Sequence, residues 1–401
     1  MISANNFPAL ESSFFPYETL LMGAGPVPQP PTVRQANTHI ASHLGERMDE
    51  VVEQLKAMAR YAFQTITPWI FGLSGPGSAA AEMAIGNLVH RGSRVLAISS
   101  GHFGLRMFEM AQRHQATVLL FEFDGKDAFP LDRLHALLEQ QVFDVVTLVH
   151  GETSSTTLNP KLSSIAALCK KHGALVVVDT VCTLGTTEVL MDNWQLDVVF
   201  CGGQKGLSSI PGVSLIAFSP EAWESVVQRK FTPTQWCYDA LLAKEFWYHH
   251  RYHYTAPVNG IFALHEALRL LNEETLPLRI ERHRRSSLGV QKAIEKFGLM
   301  LTAPVPTRLD AVVGFHLPIW LSAAALIDHL LQQHRVEISA SFGSPLLRIG
   351  QMGEQCRPAN VFRLVNALGE SLEALGHAVD LVGAIDAVSL QFGHRELLKY
   401  D

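Results

Sequence analysis

Three short stretches combine residue types that could act on one ligand. The first runs Ser74-Gly75-Pro76-Gly77-Ser78-Ala79-Ala80-Ala81-Glu82. Two glycines let the backbone approach a ligand closely. Ser78 can cap the helix that follows, and a helix N-terminus offers free N–H groups to a phosphate. A plain turn with a helix cap explains the same residues. The second stretch is Val176-Val177-Val178-Asp179-Thr180-Val181. A carboxylate at the end of a fully apolar strand is costly unless a cation faces it. Capping of the next helix is the simpler role. The third stretch, Phe200-Cys201-Gly202-Gly203-Gln204-Lys205-Gly206-Leu207-Ser208-Ser209, sets Lys205 in a Gly-rich loop after an apolar strand. A lysine whose stem lies in an apolar pocket has a lowered pKa and can form a Schiff base. An exposed loop lysine is the competing reading.

One ligand would satisfy all three. It carries a phosphate for the Gly77–Ser78 turn, a cationic ring nitrogen for Asp179 and an aldehyde for Lys205. Pyridoxal phosphate has these groups. The pattern Gly75-x-Gly77-x-x-Ala80 also matches a loose dinucleotide fingerprint. The next strand, however, ends in Ser99-Ser100 rather than the acidic residue that would hold a ribose.

These residues need a scaffold, and the hydrophobic pattern supplies one. Apolar runs at Val95–Ile98, Val118–Phe123, Val145–Val149, Leu175–Val178, Val198–Cys201 and Leu215–Phe218 read as strands, several covered on both faces. Helical segments alternate with them, among them Gly104–Arg113, Leu131–Gln140 and Ser163–His172, the last stopped by Gly173. This alternation predicts a mostly parallel sheet with right-handed crossovers. After Lys230 the rhythm changes. Helix Gly260–Leu271 is followed by helix Leu278–Phe297, strand Ala311–Leu317, helix Leu321–His334, strand Leu346–Ile349 and helix Pro358–Leu375. The expected organisation is an arm over 1–18, a large α/β domain over 19–274 and a smaller α+β domain over 275–401. A ligand crevice lies between the two domains, at the carboxyl ends of the strands.

Composition narrows the class. The chain has 401 residues, 47% apolar and 17% charged, with Lys+Arg 32 against Asp+Glu 38 and a net charge of −6. That balance argues against nucleic acid or an anionic membrane as the main partner. The five scattered cysteines form no C-x-x-C pair, so a disulfide framework and a cysteine-type zinc site are not expected. No basic region followed by an apolar run opens the sequence, and the longest apolar stretch, Ala311 to Ile327, is broken by His316 and Pro318. A cytoplasmic protein is expected.

Ten stretches in order resemble the class V, fold-type I aminotransferases, and within them the alanine–glyoxylate / serine–pyruvate branch. They are Leu20 to Pro26, Arg60 to Thr65, Ser74 to Glu82, Gly101 to Arg106, His150 to Ser155, Asp179 to Val181, Gly203 to Lys205, Pro211-Gly212, Tyr252 to Pro257 and Leu347 to Gly350. The resemblance implies the following roles. Lys205 is the imine-forming catalytic base and Asp179 the pyridinium partner. Phe103 stacks on the ring, where a mammalian member has Trp, and either aromatic serves. Val181 packs on the other face. Ser154 lies near the ring hydroxyl and the substrate. Gly77, Ser78 and Gln204 hold the phosphate. Tyr252 and Thr255 reach it from the neighbouring subunit of a homodimer. Arg348 clamps the substrate carboxylate in a bidentate pair, with Gly25 beside it. Three positions depart from the branch's pattern. Pro76 lacks a backbone N–H, and Val27 and Thr156 lie near the expected substrate end.

The resemblance implies transfer of an amino group from a small amino acid to a 2-oxo acid such as glyoxylate or pyruvate. A lyase or desulfurase is the alternative on the same cofactor, with Cys356 as its nucleophile; an aminotransferase for an unusual amine is another. A nucleotide-dependent oxidoreductase and a non-catalytic cofactor-binding scaffold are the readings from other classes. The His-rich run Trp247 to Tyr254 could be read as a metal site. It lacks a carboxylate at helical spacing, so interface packing is expected there and no metal.

Overall fold

The computed structural model describes residues 18–392. Seven strands form the central sheet: β1 (Ile70–Ser74), β2 (Arg94–Ser99), β3 (Thr117–Glu122), β4 (Val145–Val149), β5 (Leu175–Asp179), β6 (Val198–Gly202) and β7 (Val213–Phe218). Their order across the sheet is β1-β7-β6-β5-β4-β2-β3. The five strands from β6 to β3 run parallel, and β7 is antiparallel to both its neighbours. β4, β6 and β7 are buried along their whole length, as unbroken Val-, Phe- and Leu-rich runs require when helices cover both faces. The six apolar runs read from sequence fall on β2 to β7, with ends shifted by one or two residues.

Two helices matter most for the site: α1 (Gly77–Leu88) after β1, and α2 (His102–Arg113) after β2. The expected stop at Gly173 occurs, with φ +80° that favours glycine. Helices α3 (Val258–Glu274) and α4 (Leu276–Lys296) lead into a four-stranded antiparallel sheet, β8 (Met300–Leu301), β9 (Val312–His316), β10 (Ser339–Ser341) and β11 (Ser344–Gly350), in the order β8-β9-β11-β10.

One apolar core runs from Met48 to Leu276 around the seven-stranded sheet. A second gathers residues from Val290 to Phe392 with Leu20 and Met22. Leu20–Leu21 pairs in parallel with Val336–Glu337, so this N-terminal segment packs beyond the expected boundary at 275. The expected arm, 1–18, lies almost wholly outside the described residues. Helix Leu381–Phe392 is additional to the elements expected from sequence. It buries only Ala384, Val388 and Phe392, a stripe one residue wide that gives a weak periodic signal. No helix among the described residues is long and apolar enough to cross a membrane.

Candidate active site

The carboxyl ends of β2, β4, β5 and β6 and the start of α1 converge on one cavity of about 250 Å³. Its lining includes Pro76, Gly77 and Ser78 from α1, Phe103 and Arg106 from α2, Gly151 and Thr153 after β4, Asp179, Val181 and Cys182 after β5, and Gln204 and Lys205 after β6. Parallel pairing sets Val149 beside Asp179 and Asp179 beside Phe200, so loops distant in sequence open at one edge of the sheet.

The Lys205 amine donates to the carbonyl of Ala24 at 2.5 Å. Burial, reinforced by the charge of Arg348, pushes this amine below its ordinary range. Asp179 accepts from the N–H of Val181 at 2.8 Å in a local turn. Burial raises its carboxyl to about 7, and the charge of Glu152 adds to the rise. A cationic group over the free face of Asp179 would reverse that penalty. Gly25 backs onto the lysine: φ there is +97°, and a Cβ would lie 2.5 Å from Lys205 Nζ.

The phosphate side differs in one detail from expectation. Pro76 occupies the N-cap, α1 begins at Gly77, and no side chain caps it. Ser78 therefore sits inside the first turn, and its hydroxyl accepts from Arg106 Nη1 at 2.8 Å. A proline with extended backbone just before the first turn displaces the cap from Ser78. A Cβ on Gly77 would lie 2.6 Å from Val181, so glycine lets α1 and the β5 loop close together. Gln204 Oε1 is buried without a partner; that atom only accepts, so it is the amide nitrogen of Gln204 that could donate to a phosphate.

Phe103 stands at the start of α2 with Arg106 over its ring at 4.7 Å. Its N–H and that of Gly104 donate to Glu152 at 3.0 and 3.3 Å. Glu152 also accepts from Ser154 Oγ at 2.5 Å, and Ser154 Oγ accepts from the N–H of His102 at 3.0 Å. The Ser154 hydroxyl is thus taken up by Glu152 and the His102 N–H, one residue beyond the lining Thr153. Arg348 on β11 donates to the carbonyls of Thr153 and Ala340 at 3.1 and 2.6 Å, while its Nε is buried without a partner.

Tyr252 and Thr255 are exposed and stand apart from the cavity of their own chain. The His-rich run departs in part from the expected interface packing. Phe246 and Trp247 are buried, Trp247 covers Gly72 of β1, and the Tyr248 hydroxyl bonds both ends of Ile70. His250 pairs with Asp49 at 3.0 Å. Among the described residues no three His, Cys, Asp or Glu side chains gather as metal ligands. Thr156 packs under Gly314, the cross-strand partner of Arg348, and lines a separate small cavity; φ there is +59°. Val27 is buried with Ala24 and Met352.

Two alternatives lose their structural basis. Cys356 is fully buried in a 3-10 turn with its sulfur 3.8 Å from Gln351 Oε1, and burial pushes its thiol up to about 12. A mobile nucleophile cannot be built there. The Gly75–Ala80 motif does join a strand to a helix, but among the described residues β1 is an edge strand that pairs with antiparallel β7 alone. A dinucleotide fold needs β1 and β2 adjacent and parallel. Sequence reasoning passed over Arg106, Glu152, Ala24 and Cys182. Ala24, Arg106 and Glu152 lie within the quoted stretches, but only the folded loops bring Ala24 to Lys205, Arg106 to the cavity and Glu152 to the N–H of Phe103.

Comparison with known proteins agrees with this geometry. The family model for class-V aminotransferases matches residues 32–361. Alanine–glyoxylate aminotransferase from Oryctolagus cuniculus is 33% identical over 363 residues, 88% of this chain and 92% of its own. A (S)-ureidoglycine–glyoxylate transaminase from Bacillus subtilis is 28% identical over 371 residues, covering 87% of this chain and 89% of its own. The crystal structure of the Bacillus subtilis ureidoglycine–glyoxylate aminotransferase superposes with TM-score 0.91 at 27% identity, over 94% of this chain and 98% of that one. That of alanine–glyoxylate aminotransferase from Nostoc sp. gives 0.85 at 32%, over 93% and 97%. A lysine, a carboxyl and a helix N-terminus line one cavity, and the chain belongs to the class-V aminotransferases, pyridoxal-phosphate enzymes of fold type I.

Proposed function

We propose that the chain moves an amino group from a small, alanine- or serine-like amino acid to glyoxylate or pyruvate by a ping-pong mechanism. The observation that carries this reading is the cavity lined together by the half-buried Lys205 and Asp179 and the start of α1. Glyoxylate is common to the names of the rabbit and Bacillus relatives, whereas their amino donors differ. The acceptor is therefore better supported than the donor, and an unusual amine is the second reading for the donor, since the name of the Bacillus relative carries one.

Pyridoxal phosphate supplies an aldehyde carbon for the amino group and a ring that takes up electron density from the substrate α-carbon. The residues divide the remaining work. The Asp179 carboxylate would pair with the ring nitrogen and keep it protonated. Phe103 and Val181 would cover the ring and exclude water. Gly77, Ser78 and Gln204 would hold the phosphate, and Arg106 would add positive charge through Ser78. Lys205 Nζ would hold the cofactor at its aldehyde carbon. The same amine would accept and return the substrate α-proton, and burial, which lowers its pKa, favours the unprotonated form that this needs. Arg348 fixes the substrate carboxylate, with Gly25 leaving room beside the amine and Ser154 steadying Phe103.

Tyr252 and Thr255 of the partner subunit complete the phosphate site, so the active unit is a homodimer, and its compartment is the cytoplasm. Both residues are exposed in the single chain, which supports that assignment. The test is an absorption spectrum of the purified protein before and after adding single amino acids without oxo acid. A yellow band that moves to the ultraviolet with one donor supports the reading and names the donor. A protein that stays colourless with added pyridoxal phosphate overturns it, as does near-normal turnover of Lys205→Ala.

A further inference from the structure

A second buried polar group lies behind the cavity, on the junction of α3 and α4. Arg279 and Arg282, one turn apart on α4, both grip Glu274, the last residue of α3. Arg279 Nη1 donates to Oε2 at 2.9 Å, and Arg282 donates through Nε to Oε1 at 2.5 Å and through Nη2 to Oε2 at 2.9 Å. Their remaining donors reach main-chain carbonyls of three distant loops. Arg279 Nη2 bonds the carbonyl of Gly206 at 2.7 Å and Nε that of Gly185 at 3.1 Å. Arg282 Nη1 bonds the carbonyl of Gly353 at 2.7 Å. His283 Nε2 accepts from the N–H of Gly353 at 2.8 Å while its Nδ1 faces the carbonyl of Arg279 at 2.7 Å. Only the tautomer protonated on Nδ1 satisfies both.

Two of the three anchored loops carry residues assigned to cofactor and substrate. Gly206 follows Lys205 directly, and Gly353 follows the strand that carries Arg348. The loops also touch: a Cβ on Gly353 would lie 1.7 Å from Ser208 Oγ. Buried ion pairs are a poor way to gain stability, because apolar replacements of similar volume often do as well. Their attested use is to fix one arrangement among several.

We infer that Glu274, Arg279 and Arg282 form a positioning clamp that sets the spacing between the Lys205 amine and the Arg348 guanidinium. This rests on the roles given to those two residues above. Arg279 holds the lysine loop, and Arg282 holds the approach to the carboxylate-binding arginine. The two arms therefore separate in their effects.

The experiment uses the cofactor-loaded full chain and three conservative variants, Arg279→Lys, Arg282→Lys and Glu274→Gln. It reads steady-state constants and the pH midpoint of the cofactor's visible band. Arg282→Lys should raise KM for the amino acid about tenfold with kcat within about twofold and the midpoint unmoved. Arg279→Lys should lower kcat about tenfold and move the midpoint by about half a pH unit. Glu274→Gln keeps the volume and loosens both arms, so it should show both changes. It carries the test should either arginine variant fail to fold. Variants that lower only the melting temperature, with constants within about twofold and the midpoint fixed, overturn the clamp. A wild-type protein without a visible band or transamination overturns instead the reading of Lys205 beneath it.

Discussion

The amine of Lys205 and the carbonyl of Ala24 meet at 2.5 Å across 181 residues of sequence. Ala24 belongs to the N-terminal segment that is bonded to the far end of β11: Gly350 N–H donates to Met22 at 2.7 Å, and Gln355 donates to Gly23 at 2.8 Å. The acceptor that meets the lysine is therefore presented by the same backbone that supports Arg348. Geometry at this contact leads to the first prediction.

Gly25→Ala should be nearly inactive while still folding. The new Cβ would fall 2.5 Å from Nζ and 2.7 Å from Cδ of Lys205, in a backbone conformation with φ +97°. The lysine must move by about an ångström, which lowers kcat roughly 100-fold. Steady-state kinetics beside a thermal melt check this; an active variant would mean the lysine has room to spare.

Asp179 should give the cofactor-free protein a distinctive pH dependence. Its folded-state carboxyl titrates near 7, above the ordinary 3.8, mainly because of burial. Between those values the folded state keeps a proton that the unfolded chain has lost. Stability from this group is therefore full below about pH 4, falls as pH rises, and is lost by about pH 7, on the order of a few kcal/mol in total. Melts of the cofactor-free wild type and Asp179→Asn from pH 4 to 8 isolate it. The difference between them should grow with pH, the variant becoming the more stable. With pyridoxal phosphate bound the order should reverse, and turnover of the variant should fall by about 10²–10³-fold.

Arg348→Lys keeps the charge and loses the planar fork. Its bonds to the Thr153 and Ala340 carbonyls use two guanidinium nitrogens, leaving Nε as the buried donor without a partner. A lysine cannot hold both carbonyls and a carboxylate in plane, so KM for amino and oxo acids should rise about 10- to 100-fold. An unchanged KM would remove the carboxylate role.

Arg106→Ala should weaken cofactor retention more than it changes kcat at saturating cofactor. The side chain bonds Ser78 at 2.8 Å and lies over Phe103 at 4.7 Å, so it supports both the phosphate end and the ring. Fluorescence titration with pyridoxal phosphate should give a dissociation constant raised about tenfold, because the Ser78 hydroxyl no longer has a charged donor behind it.

Cys356→Ala should leave transamination intact and cost about 1 kcal/mol of stability, as deletion of a small buried group does. The thiol is fully buried and is not among the residues lining the cavity. Release of sulfide from cysteine that vanishes in this variant would restore the desulfurase reading.

Much of this protein is decided locally and is legible in the sequence. Unbroken runs such as Val145–Val149 and Val198–Cys201 have nowhere to go except strands covered on both sides, and Gly173 must end its helix because φ is positive there. Those strands deliver Asp179 and Lys205 to loop positions, and residue chemistry then points to one cofactor. Long-range placement is not legible in the same way. Local pattern makes Ser78 the cap of α1, but Arg106 takes its hydroxyl from a different helix. The aromatic run around Trp247 reads as interface packing, but much of it closes over β1 of its own chain. Each outcome depends on pairings between residues dozens to hundreds apart, set by strand order and by which surfaces the sheet leaves to cover. Sequence periodicity reports which face of an element is buried; only the tertiary structure decides against what.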